Sequence, residues 1–127
     1  MLKFIVIGLG GGLGAILRYA LAGLAQNWSK SIDFPYGTLA VNLLGCLLIG
    51  LLGGLVETRS LFSPETRLFI FVGLLGGFTT FSTFSNETFS LLASRASVLA
   101  FFNLAAHILL GLAMVWVGRF LAAAAWR

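Results

Sequence analysis

The chain has 127 residues, of which 59% are hydrophobic and only 9% charged, with a formal net charge of +4. A mean hydropathy of +1.02 excludes an ordinary soluble domain, and eight basic residues scattered without a basic run exclude a nucleic-acid-binding module. An integral membrane protein remains, and a single cysteine, Cys46, leaves no internal disulfide or cysteine metal cluster to consider.

Crossing a hydrocarbon core of about 30 Å takes on the order of 20 apolar residues, and four runs of that size lie at roughly 4–25, 37–56, 67–92 and 97–120. The predicted fold class is therefore an all-α membrane protein with four transmembrane helices, in one domain covering residues 1–127. The first run follows Lys3 and continues past the length of a secretory signal, with no small-residue cleavage site to close it, so it is expected to be retained. It carries two small-xxx-small registers, Gly8 with Gly12 and Gly10 with Gly14, which predict close helix contact. Arg18 lies inside the same run. Taken alone, it sits about 10 Å from the far interface by helical rise, within reach of a snorkelling side chain.

A polar loop from Gln26 to Tyr36 holds Trp28, Lys30, Asp33 and Pro35. The second span opens at Gly37 and Thr38, has Asn42 as its one other strongly polar residue, and carries a smooth face of Gly45, Gly50, Gly53 and Gly54. After the second loop, Ser63-Pro64-Glu65 reads as a helix start: a serine cap, proline in the first turn and an acid at the positive end of the dipole. The fourth span has Asn103 and His107 one turn apart on one face, with Gly111 a further turn along; Trp116 and Trp126 suit packing or the interface. Lys3, Arg59, Arg67, Arg119 and Arg127 fall on the side of the termini and middle loop, against Lys30 and Arg95 opposite. That bias predicts cytoplasmic termini, and it is more lopsided than equal insertion in both orientations requires.

The third span is too long for a simple crossing and is interrupted by Gly76-Gly77-Phe78-Thr79-Thr80-Phe81-Ser82-Thr83-Phe84-Ser85. Two glycines and two β-branched threonines make a poor helix interior, so the helix is predicted to break in its middle and resume near Phe81. Backbone groups freed in hydrocarbon persist only where protein, water or an ion satisfies them. The segment is either a packing joint or an ion pathway.

Polar side chains at membrane depth point to function by default. Here they are Arg18, Thr38, Asn42, Thr79, Thr80, Ser82, Thr83, Ser85, Asn86, Glu87, Asn103 and His107. Donors far outnumber acids, a balance that suits an anion rather than a cation. Phe81 and Phe84, three apart on a helical face, can present electropositive ring edges to one cavity. The serines and threonines can equally bond back to their own helix, and the rings can equally be packing.

Three of these stretches resemble the Fluc (CrcB) fluoride channels: the 76–85 motif with Glu87 after it, Gly37-Thr38-Leu39-Ala40-Val41-Asn42, and Gly14-Ala15-Ile16-Leu17-Arg18-Tyr19. The resemblance covers nearly the whole chain. It implies a dual-topology antiparallel homodimer in the cell membrane with two fluoride pores and a structural sodium ion at the centre. It also implies pore-lining rings at Phe81 and Phe84, an amide donor facing them from Asn42, and hydroxyls of Thr38, Ser82, Thr83 and Ser85 near the ion path. Arg18 would stand near the mouth of the pore, and the backbone carbonyls of Gly76 and Thr79 would hold sodium. Unwound carbonyls are cation ligands in other discontinuous membrane helices, and a two-fold axis would double two ligands to four.

Two other functions compete. A small proton-coupled multidrug exporter would need an acid in the first span, which has Arg18 and none. A non-transporting anchor subunit would leave the clustered donors of spans two and three without purpose. An enzyme is not expected, because no nucleophile, base and orienter set is present.

Overall fold

Backbone in hydrocarbon must bond to itself, and every regular element among the described residues is a helix. The computed structural model describes residues 1–59 and 61–125; Ser60, Trp126 and Arg127, and the side chains of Thr58 and Arg59, lie outside that description. The topological assignments made for Arg59 and Arg127, and the one for Trp126, therefore concern groups outside the described residues.

Helix α1 (Leu2–Ser29) ends where Lys30 turns left-handed at φ 54° and returns its N–H to the Asn27 carbonyl. Helix α2 (Tyr36–Arg59) follows after a short loop. Gln26 ties that loop down: its Nε2 donates to the carbonyls of Ser31 (2.6 Å) and Phe34 (3.1 Å), and its Oε1 accepts from the Gly37 N–H (2.9 Å). The next span begins as predicted at a serine cap, Ser63 Oγ accepting from the Thr66 N–H with Pro64 and Glu65 in the first turn. It runs through α3 (Pro64–Arg67), a π-helical stretch Leu68–Leu75, and α4 (Gly76–Phe78), then after two extended residues through α5 (Phe81–Ala93). The last span comprises α6 (Ser97–Ala105), a π-helical turn Ala106–Leu110 and α7 (Gly111–Ala124).

Four spans long and apolar enough to cross a membrane result: Leu2–Ser29, Tyr36–Glu57, Pro64–Ala93 and Ser97–Ala124. They overrun the predicted ends, because hydropathy marks the apolar core of a span while backbone bonding continues into its polar flanks.

Small residues set the packing. Without a hydrophobic force between helices in lipid, close backbone contact does the work. A Cβ on Gly10 would lie 3.0 Å from the Leu74 nitrogen, and one on Gly14 2.9 Å from the Phe78 nitrogen, so α1 seats directly on the third span. Gly8 and Gly12 meet nothing within 4 Å. Of the two predicted registers, only Gly10 with Gly14 is used within the chain. Gly118 and Gly54 serve the same purpose between α7 and α2, where added Cβ atoms would lie 2.6 Å from the Leu51 nitrogen and 2.8 Å from the Ala122 Cβ. At one end of this pair Arg119 meets Glu57 at 2.8 Å, an exposed bridge of small worth. Large apolar side chains such as Phe4, Trp116 and Phe101 point outward, as lipid contact requires.

Candidate functional site

The interruption of the third span places the site. Thr79 (φ −90°, ψ 161°) and Thr80 (φ −151°, ψ 117°) are both extended, so the helical ladder stops at Phe78 and restarts at Phe81. Asn42, reaching across from α2, fills the gap in both directions. Its Nδ2 donates to the Thr80 carbonyl at 3.0 Å and its Oδ1 accepts from the Thr80 N–H at 2.9 Å. Thr80 then caps α5, its Oγ1 accepting from the Thr83 N–H at 3.2 Å and donating to Thr83 Oγ1 at 2.9 Å.

These side-chain bonds have a consequence for two carbonyls. In a continuous helix the Thr80 N–H would serve Gly76 and the Thr83 N–H would serve Thr79. Asn42 Oδ1 and Thr80 Oγ1 take those donors instead, leaving both oxygens free of their helical partners. Thr79 Oγ1 donates back to the Leu75 carbonyl at 2.9 Å. Gly45 on α2 stands where an added Cβ would collide with Thr79 Cγ2, so the glycine admits the break against α2.

Two cavities flank this joint and share Thr80 as a wall. One, of about 410 Å³, is lined by Asn42, Thr79, Thr80, Phe81, Phe84 and His107 among others. Among the described residues no Asp, Glu, Lys or Arg lines it. The other, of about 710 Å³, brings together Arg18, Thr38, Thr80, Thr83 and Glu87. In it the buried Thr38 hydroxyl donates to Glu87 Oε1 at 2.6 Å, while Glu87 Oε2 is buried with no partner among the described residues.

The two rings differ in setting. Phe84 is 7% exposed and Phe81 is 80% exposed, their centroids 5.7 Å apart at 58°. Behind Phe84 stands His107, ring centroids 4.2 Å apart. Its Nδ1 lies 2.9 Å from the Asn103 carbonyl. Asn103, 0% exposed, donates from Nδ2 to Thr88 Oγ1 at 2.8 Å, and Thr88 Oγ1 donates to the Phe84 carbonyl at 2.8 Å. A polar chain thus runs from α6 to the residue carrying the buried ring.

The sequence-derived residues therefore divide. Asn42, Thr79, Phe81 and Phe84 meet in one cavity with Gly76; Arg18, Thr38 and Thr83 meet in the other. Ser82 and Ser85 lie exposed on α5 outside both, and Ser85 Oγ donates to the Phe81 carbonyl at 2.9 Å, the back-bonding alternative weighed above. Asn42, expected as a donor facing the rings, has one amide hydrogen on Thr80 and a second beyond it. The sequence assigns no role to Thr88 and marks Gln26 only as the start of a loop; Thr88 sits one turn past Phe84, a spacing that points to its bond with the Phe84 carbonyl. Among the described residues no group of three His, Cys, Asp or Glu could hold a metal, so a cation here would need backbone oxygens.

A helical protein of four membrane-crossing spans, with a polar joint inside the third and cavities on both sides of it, is a multi-pass membrane protein of the transport class. The family described as CrcB-like protein, Camphor Resistance (CrcB), matches residues 5–119. The chain belongs to that family. Among its relatives, a protein of Flavobacterium psychrophilum named fluoride-specific ion channel FluC is 46% identical over 116 residues, 91% of this chain and 93% of that one. One of Methanosarcina acetivorans, fluoride-specific ion channel FluC 1, is 44% identical over 119 residues, 94% of this chain and 89% of its own. A third, of Methylobacillus flagellatus and also named fluoride-specific ion channel FluC, is 40% identical over 118 residues, covering 93% and 92%.

Proposed function

We propose that the chain is a passive, fluoride-selective channel, not an enzyme, that lets fluoride leave the cell. It works as an antiparallel homodimer with two pores at the subunit boundary and a structural sodium ion on the central axis, each subunit a single four-helix domain with a broken third helix. The relatives' names supply the ion. The observation that carries the reading is the Asn42 clamp on Thr80, which stabilises a break in a membrane helix beside a cavity of rings and donors without a full charge.

A small anion leaving water loses hydration worth on the order of tens of kcal/mol, which the path must return. Arg18 and the hydroxyl of Thr83 gather it in the wider cavity, where the Thr38 hydrogen is held by Glu87; Thr80 leads to the second amide hydrogen of Asn42 and the edges of Phe81 and Phe84. The exposed Phe81 ring and the open Gly8 and Gly12 face suit cover by a second copy. Ser82 and Ser85 would meet the ion path from the exposed side of α5.

The freed Gly76 and Thr79 carbonyls fit a hard monovalent cation, and two copies would offer four. Bound there, sodium would supply fixed positive charge and hold the two broken helices together.

Purified protein in liposomes should pass fluoride down its gradient, with chloride flux near that of protein-free vesicles. Equal fluoride and chloride flux, or flux that needs a proton gradient, overturns the reading.

A further inference from the structure

His107 is the chain's sole histidine, and nothing in the donor inventory accounts for its orientation. Its Nδ1 lies 2.9 Å from the Asn103 carbonyl oxygen. A carbonyl only accepts, so Nδ1 carries the hydrogen, and in the neutral ring Nε2 is a bare lone pair. That nitrogen is buried and has no hydrogen-bond partner among the described residues. The side chain bearing it lines the 410 Å³ cavity of the ring pair.

The ring is held in this sense. Turning it over would give up the Asn103 bond, and Asn103 is itself fully buried and tied through its amide to Thr88. Among the described residues the other titratable side chain lining the cavity is Cys46 of α2, and the contributions of the third span are uncharged. Glu87, three residues past Phe84 on α5, lines the neighbouring cavity and accepts from Thr38.

A lone pair beside an anion path repels the anion. One proton at Nε2 reverses the sign, turning an acceptor into a charged N–H donor, and because that nitrogen is buried an anion reaches it only as the side chains lining the cavity give way. Phe84, its centroid 4.2 Å from the imidazole, supports that cation through its π system. We propose that His107 Nε2 is an acid-dependent binding site for a small hard anion, at which fluoride and a proton bind together. This rests on the fluoride-channel reading for the identity of the anion; the geometry of the nitrogen stands apart from it.

The test uses the full-length protein. With histidine isotopically labelled, one imidazole gives all the signal. At the fixed pH where the imidazole's own titration without fluoride shows it half protonated, sodium fluoride should move its resonances toward their acid-form positions, while equal sodium chloride does not. Resonances indifferent to fluoride overturn the proposal.

Flux provides the second arm. After subtraction of protein-free liposomes, which removes permeation of the neutral acid, wild-type fluoride flux should rise several-fold from about pH 7.5 to about 5.5. His107→Gln carries a permanent amide donor and should lose the pH response. His107→Phe keeps a ring and should lose it too, which covers the case in which one variant fails to fold. A folded variant that keeps the wild-type pH response overturns the proposal. Wild type that carries no fluoride at any pH sinks the channel reading instead, and the resonance titration then decides the anion site by itself.

Discussion

Asn42 and Thr80, 38 residues apart in sequence, hold each other by two hydrogen bonds that use both ends of one amide and both backbone groups of one residue. The side chain stands in for the missing turn of helix. No hydroxyl can do this, because one oxygen cannot span both backbone groups.

Asn42→Leu should therefore strand the Thr80 N–H and carbonyl together, costing about 2–3 kcal/mol of stability. Asn42→Asp keeps an acceptor for the N–H but turns an oxygen on the carbonyl and sets a negative charge in the cavity. Thermal unfolding in detergent should show both variants below wild type, and liposome flux should fall to background in Asn42→Asp. An Asp variant with undiminished fluoride flux would remove Asn42 from the ion path.

The rings are predicted to separate by measurement. Phe84 is buried against His107 while Phe81 is mostly exposed. Phe84→Ile should cost about 1–3 kcal/mol through lost packing, whereas Phe81→Ile should leave monomer stability within about 0.5 kcal/mol. Both should cut fluoride flux. Unaltered flux in both single variants would argue that neither ring lines the path.

Much of this architecture was legible because membrane physics is strict. Four apolar runs gave four spans, and Ser63-Pro64-Glu65 gave a helix start. What could not be read were relations between distant residues. Asn42 was singled out as polar, yet nothing in its neighbours names Thr80 as its partner. Gln26 reads as the start of a loop and proves to hold that loop closed from the last turns of α1. The glycine registers of α1 look alike in sequence, and only the position of the third span decides which one is filled.

That asymmetry gives a paired prediction. Gly14→Ala drives a Cβ into the backbone of Leu74 and Phe78, which cannot yield as a side chain would, and should lower stability by about 1–3 kcal/mol. Gly12→Ala meets open space within the chain and should leave the monomer unchanged. Unfolding of the two variants side by side checks this. If Gly12→Ala keeps monomer stability but weakens the proposed dimer in crosslinking, the second copy sits on that face.

Thr38 and Glu87 form the short contact of the wider cavity, 2.6 Å from Oγ1 to Oε1. Thr38→Val preserves shape and removes the donor, leaving the half-buried carboxylate with one partner fewer. A loss of about 1–2 kcal/mol is expected. Thr38→Ser restores the hydroxyl and should recover most of it. Equal stability of the Val and Ser variants would show that the bond contributes nothing.

The proposed sodium ion makes a prediction that needs no flux. An ion bound only by the folded, paired state stabilises it by mass action, about 1.4 kcal/mol for each tenfold rise in concentration once the site is saturating. Thermal unfolding at constant ionic strength, with sodium exchanged for a large organic cation, should show the midpoint falling as sodium is withdrawn. Carbonyl oxygens bind through their number and spacing, so Thr80→Pro, whose φ is locked at about −65° against the −151° found here and which cannot donate to Asn42 Oδ1, should displace them and weaken the sodium dependence. A midpoint indifferent to sodium in the wild-type protein would leave the Gly76 and Thr79 carbonyls to water, and the central ion would have to be given up while the anion path through Asn42, Phe81 and Phe84 could still stand.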